Sequence, residues 1–244
     1  FRMDQKMIII PARLASTRFK DKILCDIGGV PMFVATARRV SSCDDVVGAV
    51  DDERVFNVAR KHGLKAVMTS KDHQSGTDRI NEAAQILGLD EREIIINVQA
   101  DEPFIEPENI AKFKAFCEAK REAAFMFSCY KLVSGEFADD KNLVKVVTDF
   151  DGFALYFSRS RIPFDRAKCD EYKAHLGIYG YSALNLREFC SLRTSHLEST
   201  EKLEQLRALE NGKRIAMLEV SSQSIGIDSE DDYKRALAKF RNDL

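Results

Sequence analysis

No stretch of the 244-residue sequence approaches the roughly 18 consecutive apolar residues that a membrane-spanning helix requires. The opening residues FRMDQKMIII also lack the long apolar core of a secretory signal. These absences lead to the expectation of a cytoplasmic protein with no membrane partner. A large excess of positive or negative charge is absent too. The 37 Lys and Arg stand against 39 Asp and Glu, a formal net charge of −2, which gives no basis for nucleic acid as a partner. Any anion site must therefore be local. The six cysteines, Cys25, Cys43, Cys117, Cys129, Cys169 and Cys190, form no CxxC pair and have no histidine at zinc-site spacing. They are expected to be reduced, mostly as small buried hydrophobes. Neither GxxxxGK[ST] nor GxGxxG occurs, so a P-loop NTPase and a dinucleotide dehydrogenase are unsupported. No long repeat, low-complexity segment or linker divides the chain.

What is present is a globular balance, 45% hydrophobic and 31% charged. On a prior of roughly 150 residues per domain, the length permits one α/β domain with a sub-domain. Residues Lys6 to Pro11, KMIIIP, form a short continuous apolar run ended by proline, the pattern of a fully buried parallel strand. Gly28 and Gly29 predict a tight turn before a helix over Pro31 to Val40. Strands are then expected at Asp45 to Val50, Lys65 to Met68 and Ile94 to Val98. Helices are expected at Glu53 to His62, Asp78 to Leu87 and Pro107 to Ala119, with Gly63 and Gly88 closing the first two. This alternation implies a mostly parallel, doubly wound sheet with ligands at the carboxyl ends of its strands. After Phe125 the pattern changes: Leu143 to Ser158 resembles a hairpin turning at Asp149 to Gly152, and His175 to Ala183 a strand. Thr200 to Leu209 and Ser229 to Arg241 read as helices, the second opened by a capping box of Ser229 and Asp232.

Four loops carry residues suited to chemistry. Pro11 to Lys22, PARLASTRFKDK, concentrates Arg13, Arg18, Lys20 and Lys22 directly after the first strand. It is either a solvated charged loop or a phosphate site, where Arg and Lys neutralise oxygens and backbone N–H groups add donors. NVQADEP, Asn97 to Pro103, ends a buried strand with Asp101. A carboxylate there needs a cation, for which Mg²⁺ is suited, unless it caps the following helix. In SIGIDSEDD, Ser224 to Asp232, Asp228 reads from sequence alone as a cap or first-turn charge. In DHQSGTDR, Asp72 to Arg79, small polar residues suit hydroxyl and base-edge bonds, with Thr77 as a competing N-cap. Taken singly, His175 reads as a structural histidine, and Glu204 and Gln205 as a solvated helix face.

Together these segments resemble the 3-deoxy-manno-octulosonate cytidylyltransferase (CMP-Kdo synthetase) family. IIPARLASTRFKDK, DHQSGTDR, NVQADEP, VKVV, ALYFSRSRIP, HLGIYGY, LEQLR and GIDSEDD occur in the family's order across nearly the whole chain. The resemblance implies a single domain over residues 3–244. It would have a Rossmann-like α/β core and a smaller antiparallel dimerisation region within 125–183, and would work as a cytoplasmic homodimer. It implies Mg²⁺-dependent transfer of CMP from CTP to Kdo. By similarity, Ala12, Arg13, Lys22, Ser75, Gly76, Thr77 and Asp101 meet CTP, and Asp101 and Asp228 bind Mg²⁺. Arg18, Gln99, Arg159, His175, Tyr179, Glu204 and Gln205 line the Kdo site. Arg13, Lys22, Asp101 and Asp228 would carry catalysis. Where the family commonly has Pro-Gly-Lys-Pro, this chain has Lys20-Asp21-Lys22-Ile23, so Lys20 competes with Lys22 for the phosphate role.

Overall fold

The computed structural model describes residues 6–15 and 19–241, and they divide into two compact units. One consists of residues up to Ala111 together with those from Ser222 onward, and the other of Lys112–Ser221.

The first unit opens with β1 (Lys6–Ala12), a small hairpin of β2 (Asp26–Ile27) and β3 (Val30–Pro31), and α1 (Met32–Val40). It continues through β4 (Asp45–Val50), α2 (Glu53–Lys61), β5 (Lys65–Met68), α3 (Gly76–Ile86), β6 (Ile94–Asn97) and α4 (Pro107–Ala119), within which the division falls. The strands are parallel in the order β6-β1-β4-β5, with Ile8 opposite Val46 on one side and Ile96 on the other. Ile8, Ile9 and Ile10 are fully buried, as expected of a strand covered on both faces. From β1 the chain steps outward through α1 to β4 and through α2 to β5. Through α3 it then returns across β1 to β6. With right-handed crossovers that reversal places α3 on the opposite face from α1 and α2. It also opens a crevice at the carboxyl ends of β1 and β6. The β2–β3 turn uses Gly28 and Gly29 at φ of 60° and 87°, the left-handed region where glycine is unstrained.

The second unit contains β7 (Met126–Ser134), β8 (Lys145–Thr148), β9 (Ala154–Ser158), β10 (Glu171–Ser182), α5 (Ala183–Ser191), α6 (His196–Glu201), α7 (Gln205–Glu210) and β11 (Ile215–Glu219). β7 pairs antiparallel with β10 and parallel with β11, and β8 pairs antiparallel with β9. The expected hairpin is therefore present, as is the strand through His175, which begins earlier, at Glu171. The expected helix Thr200 to Leu209 is instead two short helices. Lys202 takes a left-handed φ of 55°, which no helix interior accommodates. β7, α5 and β11 lie outside the sequence expectations. The first five residues of β7 are all buried and so show no period-2 alternation.

The chain then rejoins the first unit and ends in α8 (Glu230–Lys239). The capping box forms as expected: Ser229 Oγ accepts from the Asp232 amide at 3.2 Å, and an Asp232 carboxylate oxygen accepts from the Ser229 amide at 3.0 Å. α8 packs through Ala236 onto Ile27, Met32, Phe104 and Ile227, and the Phe104 and Phe240 rings stack at 4.4 Å. This small core seats the segment before α8 on the loop after β6.

Candidate active site

At the crevice end of β1, Ala12 is buried and Arg13 is exposed. The next amide, Leu14 N, donates to Asp51 Oδ1 at 3.0 Å, tying the cationic loop to the end of β4. Asp51 is itself buried and pairs with Arg79 at 3.0 Å, while Arg79 also donates to Thr69 Oγ1 and Ser70 O. Burial depresses the Arg79 pKa, with Asp51 opposing the shift. The N-cap of α3 is Ser75, whose Oγ accepts from the Asp78 amide at 3.1 Å. Thr77 is a buried first-turn residue, a correction to its reading as the cap. A Cβ on Gly76 would sit 3.4 Å from Pro11 Cγ, so the α3 N-terminus lies close against the end of β1. Ala12, Ser75 and Gly76 are thus brought together. His73 bonds Glu82 at 2.5 Å and holds the loop before α3 to the helix.

Lys22 opens a single 3₁₀ turn, Lys22–Leu24, and Asp21 before it takes a left-handed φ of 51°. This bend sends Lys22 into the crevice while Lys20 stays exposed. Lys22 Nζ donates to Asp101 Oδ2 at 2.5 Å, to Asp228 Oδ1 at 2.9 Å and to Ile227 O at 3.2 Å. Burial alone would lower its pKa, but Asp101 and then Asp228 outweigh burial and hold it above the ordinary lysine value. Asp228 is not the cap of α8; its neighbour Ser229 is. Asp101 sits in the turn after β6, where the preceding carbonyl, Ala100 O, accepts from the buried Thr36 hydroxyl at 3.0 Å. Gln99 is half-buried, its Nε2 3.5 Å from Asn97 Oδ1. Among the described residues no cluster of three or more His, Cys, Asp or Glu forms a metal site. Arg18 lies outside the described residues.

In the second unit a bulge in β10 pairs Leu176 with Cys129 and Tyr179 with Ser128, leaving two residues unpaired between them. Four residues along a regular strand span about 13 Å. Here the His175 and Tyr179 rings are 5.5 Å apart. Ser128, which the sequence reading missed, holds the bulge: its hydroxyl donates to Ile178 O at 2.8 Å and contacts His175 Nε2 at 2.8 Å. With that hydroxyl hydrogen committed, Nε2 is assigned as the protonated nitrogen. Burial against Phe157 and Tyr179 pushes the His175 pKa down to about 3. Burial likewise raises that of Tyr179, with Glu204 adding to the shift.

Tyr179 Oη lies 3.5 Å from Gln205 Oε1, at the start of α7 and beside Glu204. Gln205 is 2% exposed, and its Nε2 is buried without a hydrogen-bond acceptor. Such an unmet donor costs about 1–3 kcal/mol, a strain that a ligand oxygen would relieve. Arg159 is drawn instead to backbone: its Nε donates to Glu201 O at 2.8 Å and its Nη1 to Lys141 O at 3.1 Å. Its own carbonyl accepts from the buried Lys145, which also serves Asp140 O and Leu143 O. Lys145 stands in the VKVV segment, and a lysine inside an apolar strand was the available signal for this clamp.

The cytidylyltransferase family model matches residues 7–215. A 3-deoxy-manno-octulosonate cytidylyltransferase of a Nitratiruptor species is 56% identical over 236 residues, covering 96% of this chain and 99% of that one. Its counterpart from Wolinella succinogenes is 54% identical over 245 residues, with 96% and 99% covered. Among solved structures, that of CMP:2-keto-3-deoxy-manno-octonic acid synthetase complexed with CTP matches with a TM-score of 0.92 at 35% identity. It covers 98% of this chain and 100% of that one.

Proposed function

The chain belongs to the cytidylyltransferase family, and from that premise we infer that it transfers CMP from CTP to the anomeric hydroxyl of 3-deoxy-D-manno-octulosonate (Kdo). The products are CMP-Kdo and pyrophosphate, and the reaction activates Kdo for lipopolysaccharide biosynthesis. The observation that carries this reading to the site is the convergence of Asp101 and Asp228 on one cation, Lys22 Nζ, at 2.5 and 2.9 Å.

We further propose that the activity depends on Mg²⁺. Two oxygen-donor carboxylates that already share a cation fit a metal commonly held by one or two carboxylates plus substrate phosphates. Asp101 and Asp228 would hold it, and its charge would neutralise the phosphates and lower the pKa of the attacking hydroxyl. The displacement at the α-phosphate is in-line and needs little covalent work from the protein, so these side chains act by positioning and charge. Arg13 and Lys22 neutralise the phosphates of CTP. Ala12, Ser75, Gly76 and Thr77 bring backbone donors and the α3 N-terminus to the nucleotide.

For Kdo, Gln205 Nε2 offers a donor with no competing protein acceptor, and neutral His175 keeps Nδ1 as an acceptor for a hydroxyl. Tyr179, Glu204 and Arg159 in the second unit, and Gln99 and Arg18 in the first, are the further Kdo residues the resemblance gives, a guanidinium being suited to a carboxylate. In this reading residues 3–244 act as one cytidylyltransferase domain in a cytoplasmic homodimer, with the β-rich region 125–183 as its dimerisation part.

The test is pyrophosphate release with CTP and Kdo, with and without Mg²⁺, beside a sialic acid control and Asp101→Ala. Release that needs Kdo and Mg²⁺ and is abolished in the variant is the expected result. Release with sialic acid but not Kdo would reassign the sugar, and release with neither would overturn the reading.

A further inference from the structure

Ahead of α8, residues 222–228 run without helix or strand, so the strap's backbone donors have no ladder to satisfy them. Two carboxylates on either side of the turn into α4 take that role. Glu106 accepts four hydrogen bonds: from Gln223 N at 2.7 Å, Ser224 N at 3.1 Å, Ser222 Oγ at 2.9 Å and Asn109 Nδ2 at 3.1 Å. Glu102 accepts from Ser224 Oγ at 2.7 Å. At Gly226 an added Cβ would stand 2.8 Å from Glu102 Oε1, so the strap lies close against this carboxylate and a side chain there would push the Glu102 carboxylate out of its present position. Ile227 N then donates to Asp101 O at 2.9 Å. The attachments all lead back to the segment that carries Asp101, and the next residue along the strap is Asp228.

We propose that Glu106 and Glu102 are positioning residues: by clamping the strap to the loop after β6 they set where the Asp228 carboxylate stands relative to Asp101. The proposal rests on the reading of Asp101 and Asp228 as the magnesium-holding pair. Bonds to an ionised acceptor are about twice as strong as neutral ones, and Glu106 directs two consecutive backbone amides onto one oxygen. The Asp228 side chain is half exposed, so packing does little to fix it. The strap backbone and the Lys22 ion pair together set its placement, and a shift of about 1 Å in such a group can cost on the order of a hundredfold in rate.

The experiment is calorimetric titration of CTP into the full-length protein, without Mg²⁺ and with Mg²⁺ in excess. The ratio of the two affinities measures how well the site couples metal to nucleotide. Glu106→Ala and Gly226→Ala are expected to lower that ratio about tenfold, the usual scale for residues that orient metal ligands, while leaving CTP affinity without Mg²⁺ unchanged. Glu106→Gln keeps one oxygen for the Gln223 and Ser224 amides, so its ratio is expected to lie nearer that of the unaltered protein. Asp228→Asn serves as the reference and is expected to lose the coupling. Unaltered coupling in Glu106→Ala and Gly226→Ala, alongside its loss in Asp228→Asn, would overturn the clamp alone. Retained coupling in Asp228→Asn would remove the magnesium pair and the clamp with it. An equal loss of CTP affinity with and without Mg²⁺ would mean general damage and would also overturn the proposal. Gly226→Ala keeps every hydrogen-bonding group, so it decides the matter should Glu106→Ala fail to fold.

Discussion

At Lys22, burial and charge pull in opposite directions, and the two carboxylates win. Because its folded-state pKa is raised, its contribution to stability is fully present below the ordinary lysine value of about 10.5 and is lost as pH climbs past the raised value. The difference in urea midpoint between the unaltered protein and Lys22→Met should therefore be flat from about pH 7 to about pH 10 and shrink above that. His175 behaves in the opposite sense. Its pKa falls to about 3 in the fold, so its contribution is present above the unfolded value of about 6.5 and is lost as pH drops toward 3. Its ring resonances should show no titration between about pH 5 and pH 8, and His175→Gln should flatten the loss of stability on acidification. The Asp51–Arg79 pair, with side chains 8% and 2% exposed, gives a third case. Asp51→Ala strands a buried guanidinium and should cost about 3–5 kcal/mol in a denaturation measurement.

Among the elements, β10 shows how one strand can serve both packing and site. Its bulge gathers His175 and Tyr179, and the next residue, Gly180, passes under α4. A Cβ at Gly180 would meet Cys117 Sγ at 2.7 Å and Phe113 Cζ and Phe127 Cβ at 3.3 Å. Gly180→Ala should therefore destabilise by about 1–3 kcal/mol, the usual cost of overpacking. Shortening the opposing residue as well, in Gly180→Ala with Cys117→Ala, should recover part of that loss in a double-mutant cycle. A full loss in the double variant would point to backbone strain instead of the steric contact. Helices declare themselves locally: the Ser229 and Asp232 capping box was readable because both partners lie within one turn. The break at Lys202 was not. Nothing in STEKLEQLR signals a left-handed residue, and the apolar spacing runs on through it.

For the molecule as a whole, ligand binding should appear as stability. CTP at about 100 times its dissociation constant adds about 2.7 kcal/mol to whatever binds it. We expect the accompanying rise in melting temperature to be larger with Mg²⁺, and the Mg²⁺-dependent part to disappear in Asp101→Ala. A rise independent of both would separate nucleotide binding from the carboxylate pair.

The amino-acid sequence by itself determined the parallel strands, through apolar runs such as IIIP and IIIN that only burial on both faces explains. It determined most helix boundaries as well, because caps and turn glycines act within a few residues. It also placed charged loops at strand ends, and so the region of the site. Tertiary structure decided which of those charges meet. Strand order sets β6 beside β1, the left-handed Asp21 turns Lys22 and not Lys20 into the crevice, Lys22 joins Asp101 to Asp228, and Glu102 and Glu106 tie residues 222–224 to the loop after β6. Each of these depends on contacts between residues distant along the chain. Hydrophobic periodicity records only whether a side chain is buried, not which distant partner it is buried against.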